Sequence, residues 1–232
     1  GRVHRDLRIS VTDRCNFRCT YCMPADGLEW LPREDLLTFE EIERVARLMV
    51  ERHGVESIRL TGGEPTVRAN LPTLVAMLAD LPVDLSLTTN GMTLRLVAGK
   101  LAAAGLKRIN VSLDSLRADR FEELTLRNEL PRVLDGIDAA IEAGLYPVKV
   151  NVVVMRGVND DELVDLARFG RERGVEVRFI EFMPLDADRS WSEGAVVGQD
   201  EIVARIGEVF PLELVDRTSA PATRYRYVDG AG

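Results

Sequence analysis

The chain has three cysteines, and all of them lie in the run Cys15-Asn16-Phe17-Arg18-Cys19-Thr20-Tyr21-Cys22, spaced C-x3-C-x2-C. Three thiolates on one short loop can hold three irons of a cubane 4Fe–4S cluster, a group that normally takes four cysteines. With no fourth cysteine, one iron is left open and can bind a small molecule. Two other uses of the thiols compete with this one. A structural zinc site wants four nitrogen or sulfur ligands, so it would have to recruit His4 or His53, the two histidines of the chain. A disulfide would leave an odd thiol. The spacing favours the cluster over both.

A second set of chemically capable residues is the cations Arg8, Arg59, Lys149 and Arg178. Each sits in a β-rich run where apolar and polar residues alternate. Leu7, Ile9 and Val11 alternate with Arg8 and Ser10, and Ile58 and Leu60 with Arg59 and Thr61. Leu85 and Leu87 alternate with Ser86 and Thr88, and Ile109 and Val111 with Asn110 and Ser112. Val148, Val150 and Val152 alternate with Lys149 and Asn151, and Val175, Val177 and Phe179 with Glu176 and Arg178. Successive strand residues point to opposite faces. If the apolar set meets helices, the polar set lines an interior that a closed barrel would fill with branched aliphatics. A polar interior with four cations, in an acidic protein, needs an anion to relieve like-charge repulsion. A triphosphate suits Arg forks, and no Walker-type phosphate loop is present.

The elements that must carry these residues can be read in order. Strands are expected at Leu7–Val11, Ser57–Thr61, Asp84–Thr88, Arg108–Ser112, Val148–Val154 and Glu176–Ile180. Helices are expected at Thr38–Arg52, Asn70–Leu81, Thr93–Ala104, Pro131–Ala143, Asp160–Arg173 and Gln199–Val209, with an extra short one within 117–130 and a long loop over 182–197. Thr38 and Glu41 have capping-box spacing. Four times a helical run ends in Gly followed by Val or Leu, at Gly54, Gly105, Gly144 and Gly174, before the next strand. The repeat is a βα unit. Six units fall short of the eight of a closed barrel, so the expected fold is α/β, an open partial (βα)6 TIM-like barrel in a single domain over 1–232.

Ligands of such folds sit at the carboxyl ends of the strands. The cysteine run follows the first strand, and Thr61-Gly62-Gly63-Glu64-Pro65 follows the second. The two glycines are expected to let backbone approach a ligand, with Glu64 as an added acceptor. Composition sets outer limits. With 46% hydrophobic and 29% charged residues the chain is an ordinary globular one. Its net charge of -8 argues against a nucleic-acid partner. No apolar run is long enough for a bilayer, so no membrane partner is expected, and a cytoplasmic location suits an exposed cluster. The sequence opens on Gly1 and closes on Gly232 just after a strand-like run. Both ends read as trimmed.

C-x3-C-x2-C with an aromatic, Tyr21, before the last cysteine resembles the signature of radical S-adenosylmethionine (radical SAM) enzymes, and the expected barrel is of that type. The resemblance implies SAM on the open iron of the 4Fe–4S cluster, cleaved reductively to a 5′-deoxyadenosyl radical. It narrows along the runs Asp6–Cys15, Arg59–Pro65, Thr88–Gly91, Ile109–Asp114, Lys149–Val153 and Arg178–Met183. Together these are similar to the GTP 3′,8-cyclase family of molybdenum-cofactor biosynthesis. SAM contacts are then implied at Tyr21, Gly63, Ser112 and Met183, with Gly62 and Glu64 in the segment that binds the methionine amino group. GTP contacts are implied at Arg8, Arg59, Thr88 and Lys149, and the alternation adds Arg178. In that family the radical removes hydrogen from C3′ of GTP, and the carbon radical adds to C8. The implied partners are GTP and an electron donor, with a homodimer left open. The family also carries a second cluster on three C-terminal cysteines, and none follow Cys22 here. Residues 212–232 therefore read as the start of a truncated extension, in a chain incomplete for cyclisation. The alternatives are another radical SAM enzyme, such as a peptide-modifying maturase, or a non-catalytic iron–sulfur or zinc module.

Overall fold

The computed structural model describes residues 4–24, 26–184, 191–215 and 222–231. Six strands, β1 (Asp6–Ser10), β2 (Ser57–Thr61), β3 (Asp84–Thr89), β4 (Arg108–Ser112), β5 (Val148–Val154) and β6 (Glu176–Glu181), form one parallel sheet in chain order. Helices α1 (Phe39–His53), α2 (Leu71–Ala79), α3 (Leu94–Ala103), α4 (Ala118–Thr125), α5 (Leu130–Glu142), α6 (Leu163–Arg173) and α7 (Gln199–Gly207) connect and follow them. Among the described residues β1 and β6 are the sheet's two edges, unpaired with each other, so the barrel is open as expected.

Local chemistry accounts for the helix boundaries. Thr38 and Glu41 form a reciprocal capping box at the start of α1, and Gly54 closes that helix at φ 67°. Gly174 closes α6 in the same left-handed conformation. The extra helix expected within 117–130 is α4. The expected loop over 182–197 lies partly outside the described residues; its described end holds a 3-10 turn, Glu193–Ala195.

Ile58, Leu60, Leu87, Ile109, Val111, Val150 and Val152 are fully buried against the helices. At roughly 1.5–3 kcal/mol per buried aliphatic side chain, this layer is the chief stabilising term. The edge strands differ. β1 and β6 keep their residues half-buried or exposed throughout, because the open barrel leaves one side of each uncovered. Leu7, Ile9, Val177 and Phe179 therefore pack only in part.

The described parts of 212–232 form a small hairpin. β7 (Leu212–Leu214) pairs antiparallel with β8 (Tyr225–Tyr227). The hairpin docks on α6: the Arg171 guanidinium lies over the Phe210 and Tyr227 rings at 4.7 and 4.3 Å and pairs with Asp229 at 2.6 Å.

Candidate active site

The cysteine loop leaves β1 and continues that strand's pairing past its end. Val11 N–H donates to Thr61 O at 2.9 Å, Gly63 N–H to Thr12 O at 2.7 Å and Glu64 N–H to Arg14 O at 2.7 Å. A Cβ at residue 62 would lie 2.5 Å from Thr12 O, and one at residue 63 would lie 2.3 Å from Arg14 O. The close backbone approach expected of the glycine pair is thus seen toward the loop that follows β1. Their bare backbone first serves the close approach of one loop to another, and so seats the cysteines.

Glu64, expected as an acceptor, accepts from protein donors. It is 1% exposed. Its Oε1 accepts from Thr66 N, Thr66 Oγ1 and Thr89 Oγ1 at 3.0, 2.6 and 2.7 Å, and its Oε2 from Asn90 N at 2.6 Å. Burial pushes the carboxyl pKa up, and these hydrogen bonds pull against it. The carboxylate joins the segments that follow β2 and end β3. Asn90 carries the connection on: its Nδ2 donates to Asn16 Oδ1 at 2.7 Å, between the first two cysteines.

On its other flank the loop is bolted to α4. Arg18 N–H and Thr20 N–H donate to Thr125 O and Leu124 O, both at 3.0 Å, and Arg127 Nε donates to Asn16 O at 2.9 Å. The Phe17 and Phe121 rings meet edge to face, 5.9 Å apart. Tyr21 is anchored from β4: its hydroxyl donates to Asp114 Oδ2 at 2.5 Å, while Asp114 Oδ1 accepts from Val153 N at 2.8 Å. Burial pushes the Asp114 carboxyl up to about 6, against the lowering effect of those two bonds. Tyr21 also packs, with Trp191, on a second small core of Leu124, Met155 and Phe182. Sequence reasoning missed Asn16, Asn90, Asp114 and α4 as the loop's supports. Asn90 and Asp114 lay inside the runs carrying the family resemblance, and that was their only signal.

Cys15 and Cys19 are half-buried and Cys22 is exposed. Burial is the first cause raising all three thiols. The charge of Cys22 further raises both Cys15 and Cys19. Such thiols stay protonated until cations bind them, and coordination deprotonates a thiol outright. Among the described residues no three His, Cys, Asp or Glu side chains gather around a single ion. His53 closes α1 and is exposed, as is His4. Three thiols within eight residues of one braced loop are the donor set that a cluster would use, one iron per sulfur.

The polar faces of the strands fall into register. Arg8, Arg59, Ser86 and Arg108 are consecutive Cα partners across β1 to β4. Thr88, Asn110, Lys149 and Glu176 run across β3 to β6, and Ser112, Asn151 and Arg178 across β4 to β6. The cations thus share the lumen face. Arg59 is the most exacting: its Nε is buried without a hydrogen-bond partner. Its pKa is lowered by burial and then by Arg8, Arg178 and Arg108. The expectation of four uncompensated cations needs amendment. Lys149 and Arg178 both bond Glu176, Arg8 is exposed, and a further lumen cation, Arg108, is paired with Asp84. Thr88 Oγ1 accepts from Asn110 Nδ2 at 3.4 Å, and Ser112 is half-buried at the end of β4. Met183, just beyond β6, is 50% exposed. From Arg59 to Gly62 the chain rises about 10 Å at ~3.3 Å per residue, so the cation rows lie on the lumen face below the cysteine loop. No helix among the described residues is long and apolar enough to cross a membrane.

Residues 9–170 match the model of the radical SAM superfamily. The chain is 54% identical over 212 residues to a GTP 3′,8-cyclase of Rhodopirellula baltica, covering 90% of this chain and 59% of that protein. It is 51% identical to a GTP 3′,8-cyclase of Streptomyces coelicolor, covering 99% and 69%. The chain thus spans about three fifths of the length of the first of these relatives. Among solved structures, Streptococcus suis SuiB bound to its precursor peptide SuiA superposes with a TM-score of 0.69 at 19% identity, over 88% of this chain and 44% of that one. At that identity the likeness is one of fold.

Proposed function

The chain belongs to the radical SAM superfamily and, within it, to the GTP 3′,8-cyclase family; from that premise we propose that it acts in the radical cyclisation of GTP for molybdenum-cofactor biosynthesis. Cys15, Cys19 and Cys22 would hold a 4Fe–4S cluster, with Tyr21, the Gly62-Gly63-Glu64 segment, Ser112 and Met183 around SAM. When bound, that pair supplies the electron that splits the sulfonium and the 5′-deoxyadenosyl radical that takes hydrogen from C3′ of GTP. The protein's own part is placement. The carbonyls of α4 and the ladder at Thr12 and Arg14 fix the cysteine loop. Arg8, Arg59, Thr88, Lys149 and Arg178 would clamp GTP from below by its triphosphate, turning the ribose toward the loop. Positioning of this kind matters because a misplacement of about 1 Å can cost on the order of a hundredfold in rate.

The observation that carries the reading is the buried, partnerless Nε of Arg59 among like charges, beneath a cysteine loop already braced. A peptide substrate has no use for such a cation layer. The same reading includes an electron donor, a cytoplasmic setting, a homodimer and no nucleic-acid partner; the net charge of -8 supports the last. Removing one charge-assisted partner of an anion costs about 1.5–3 kcal/mol, so Arg59→Ala should weaken GTP binding roughly tenfold or more. Guanosine binding should not change. Calorimetric titration of the Arg8, Arg59 and Lys149 alanine variants tests this, and unaltered GTP affinity in all three would overturn the triphosphate assignment.

A further inference from the structure

Glu176 opens β6 with its carboxylate seated on two of the cations assigned above to the triphosphate. Both of its oxygens accept from Lys149 Nζ at 2.8 Å, and Oε1 accepts in addition from Arg178 Nε at 3.1 Å. The Lys149 side chain is 11% exposed and that of Glu176 33%, so the acid is the partner with room to move away. Burial works to raise the Glu176 carboxyl, but Lys149 and Arg178 outweigh it and hold the group below the usual carboxylate range, hence charged. Burial in turn lowers Lys149, and Glu176 opposes that shift. Two cations of the layer thus share one internal carboxylate, while Arg59 Nε has no acceptor among the described residues.

A phosphate arriving at Lys149 and Arg178 finds an anion of its own sign already bonded to Lys149 Nζ and Arg178 Nε. We infer that Glu176 is a built-in counter-anion that keeps the place of a ligand phosphate in the empty cavity and competes with it on binding. This inference rests on the triphosphate reading of the lumen. Without the acid, the empty cavity would hold Arg8, Arg59, Arg108, Lys149 and Arg178 against too little negative charge. With it, the cavity is stable when empty and takes a polyphosphate only at the cost of releasing or sharing the carboxylate. Glu176 is then a specificity-determining residue for polyanions, with effects of opposite sign on stability and on affinity.

The test uses Glu176→Gln in the full chain, titrated calorimetrically with inorganic tripolyphosphate, GTP and guanosine, alongside thermal melts without ligand. Tripolyphosphate and GTP should bind roughly ten- to a hundredfold tighter, following the weight of charge-assisted bonds. Guanosine should bind unchanged, and the ligand-free melting temperature should fall. A residue that merely oriented Lys149 would lower affinity and stability together, so weaker or equal polyphosphate binding by the variant overturns the inference. If the unaltered protein bound neither tripolyphosphate nor GTP, the triphosphate reading itself would fail and take the inference with it. Should Glu176→Gln not fold, Glu176→Asp carries the test. It keeps the charge on a shorter arm that cannot span both cations, and polyphosphate affinity should rise several-fold; no rise overturns the inference.

Discussion

Around Cys15–Cys22 the chain is tied to three separate parts of the barrel: through backbone to the glycine turn after β2 and to the carbonyls ending α4, and through the Asn16 side chain to Asn90 beyond β3. A few residues lower in the same lumen, Arg59 has a buried donor with no acceptor, and its neighbours add repulsion. The loop is held by protein groups on every side, whereas Arg59 in the cation layer keeps a donor that no protein acceptor meets among the described residues. The difference follows from what each must do. Thiols that bind several irons have to be held at fixed separations by groups that do not take part in the binding. A phosphate clamp has to spend its own donors on the ligand, so they either stay open, as Arg59 Nε does, or rest on a counter-ion, as Lys149 and Arg178 do on Glu176.

The largest effect expected from breaking the loop's half of this contrast is that of Cys19→Ala. Two thiols are too few for a stable cluster, so iron incorporation and the visible charge-transfer absorbance should vanish after anaerobic reconstitution. Far-UV circular dichroism should stay unchanged, because the loop hangs on backbone bonds rather than on the sulfur. Tight zinc binding without iron uptake would sink the cluster assignment.

Gly63→Ala comes next. Its Cβ would sit 2.3 Å from a backbone oxygen that cannot turn aside. Overpacking of this kind costs about 1–3 kcal/mol or more, and here the strain falls on the cysteine loop. Both the melting temperature and the fraction of cluster retained should drop. Retention of the cluster with a lowered melting temperature would show that the ladder to Thr12 and Arg14 is not what seats the cysteines. Glu64→Gln should follow: an amide offers one acceptor oxygen to the donors of Thr66, Thr89 and Asn90, and leaving one of them unpaired costs about 1–3 kcal/mol. At about 2–4 °C per kcal/mol for a domain of this size, calorimetry resolves it.

The cysteines, the strand alternation and the capped helices were legible because each is written in residue type and local spacing. C-x3-C-x2-C needs no partner from elsewhere, and Thr38 with Glu41 closes its own box. The supports were not legible, because they depend on which segments meet across the barrel. A glycine pair says that backbone comes close to something, without saying to what; here it is the carbonyls of Thr12 and Arg14. Glu64 read as an acceptor, which it is, but nothing local says that its donors come from Thr66, Thr89 and Asn90. The alternation placed Glu176 on the same face as Lys149 and Arg178, yet only the Lys149↔Glu176 register shows that the acid lands on the lysine. The half-exposed β1 and β6 follow from the missing units of an open barrel, which no single strand encodes.

The smallest predicted effect is the one that most sharpens the comparison. If the cation layer is kept unsatisfied for a ligand, then removing its least satisfied member should stabilise the empty protein. Arg59→Met keeps much of the stem's packing and removes a buried donor together with its repulsion from Arg8, Arg178 and Arg108. The site is half-open to solvent, so the screened gain is about 0.5–1 kcal/mol. At about 2–4 °C per kcal/mol, the ligand-free melting temperature should rise by roughly 1–4 °C. The same variant should lose most of the stabilisation that saturating GTP gives the unaltered protein, since stabilisation by a ligand follows its affinity. The measurement is a pair of melts, with and without GTP, on both proteins. A fall in the ligand-free melting temperature would mean that Arg59 already has its partner in the empty protein and that the lumen is braced in the same way as the loop.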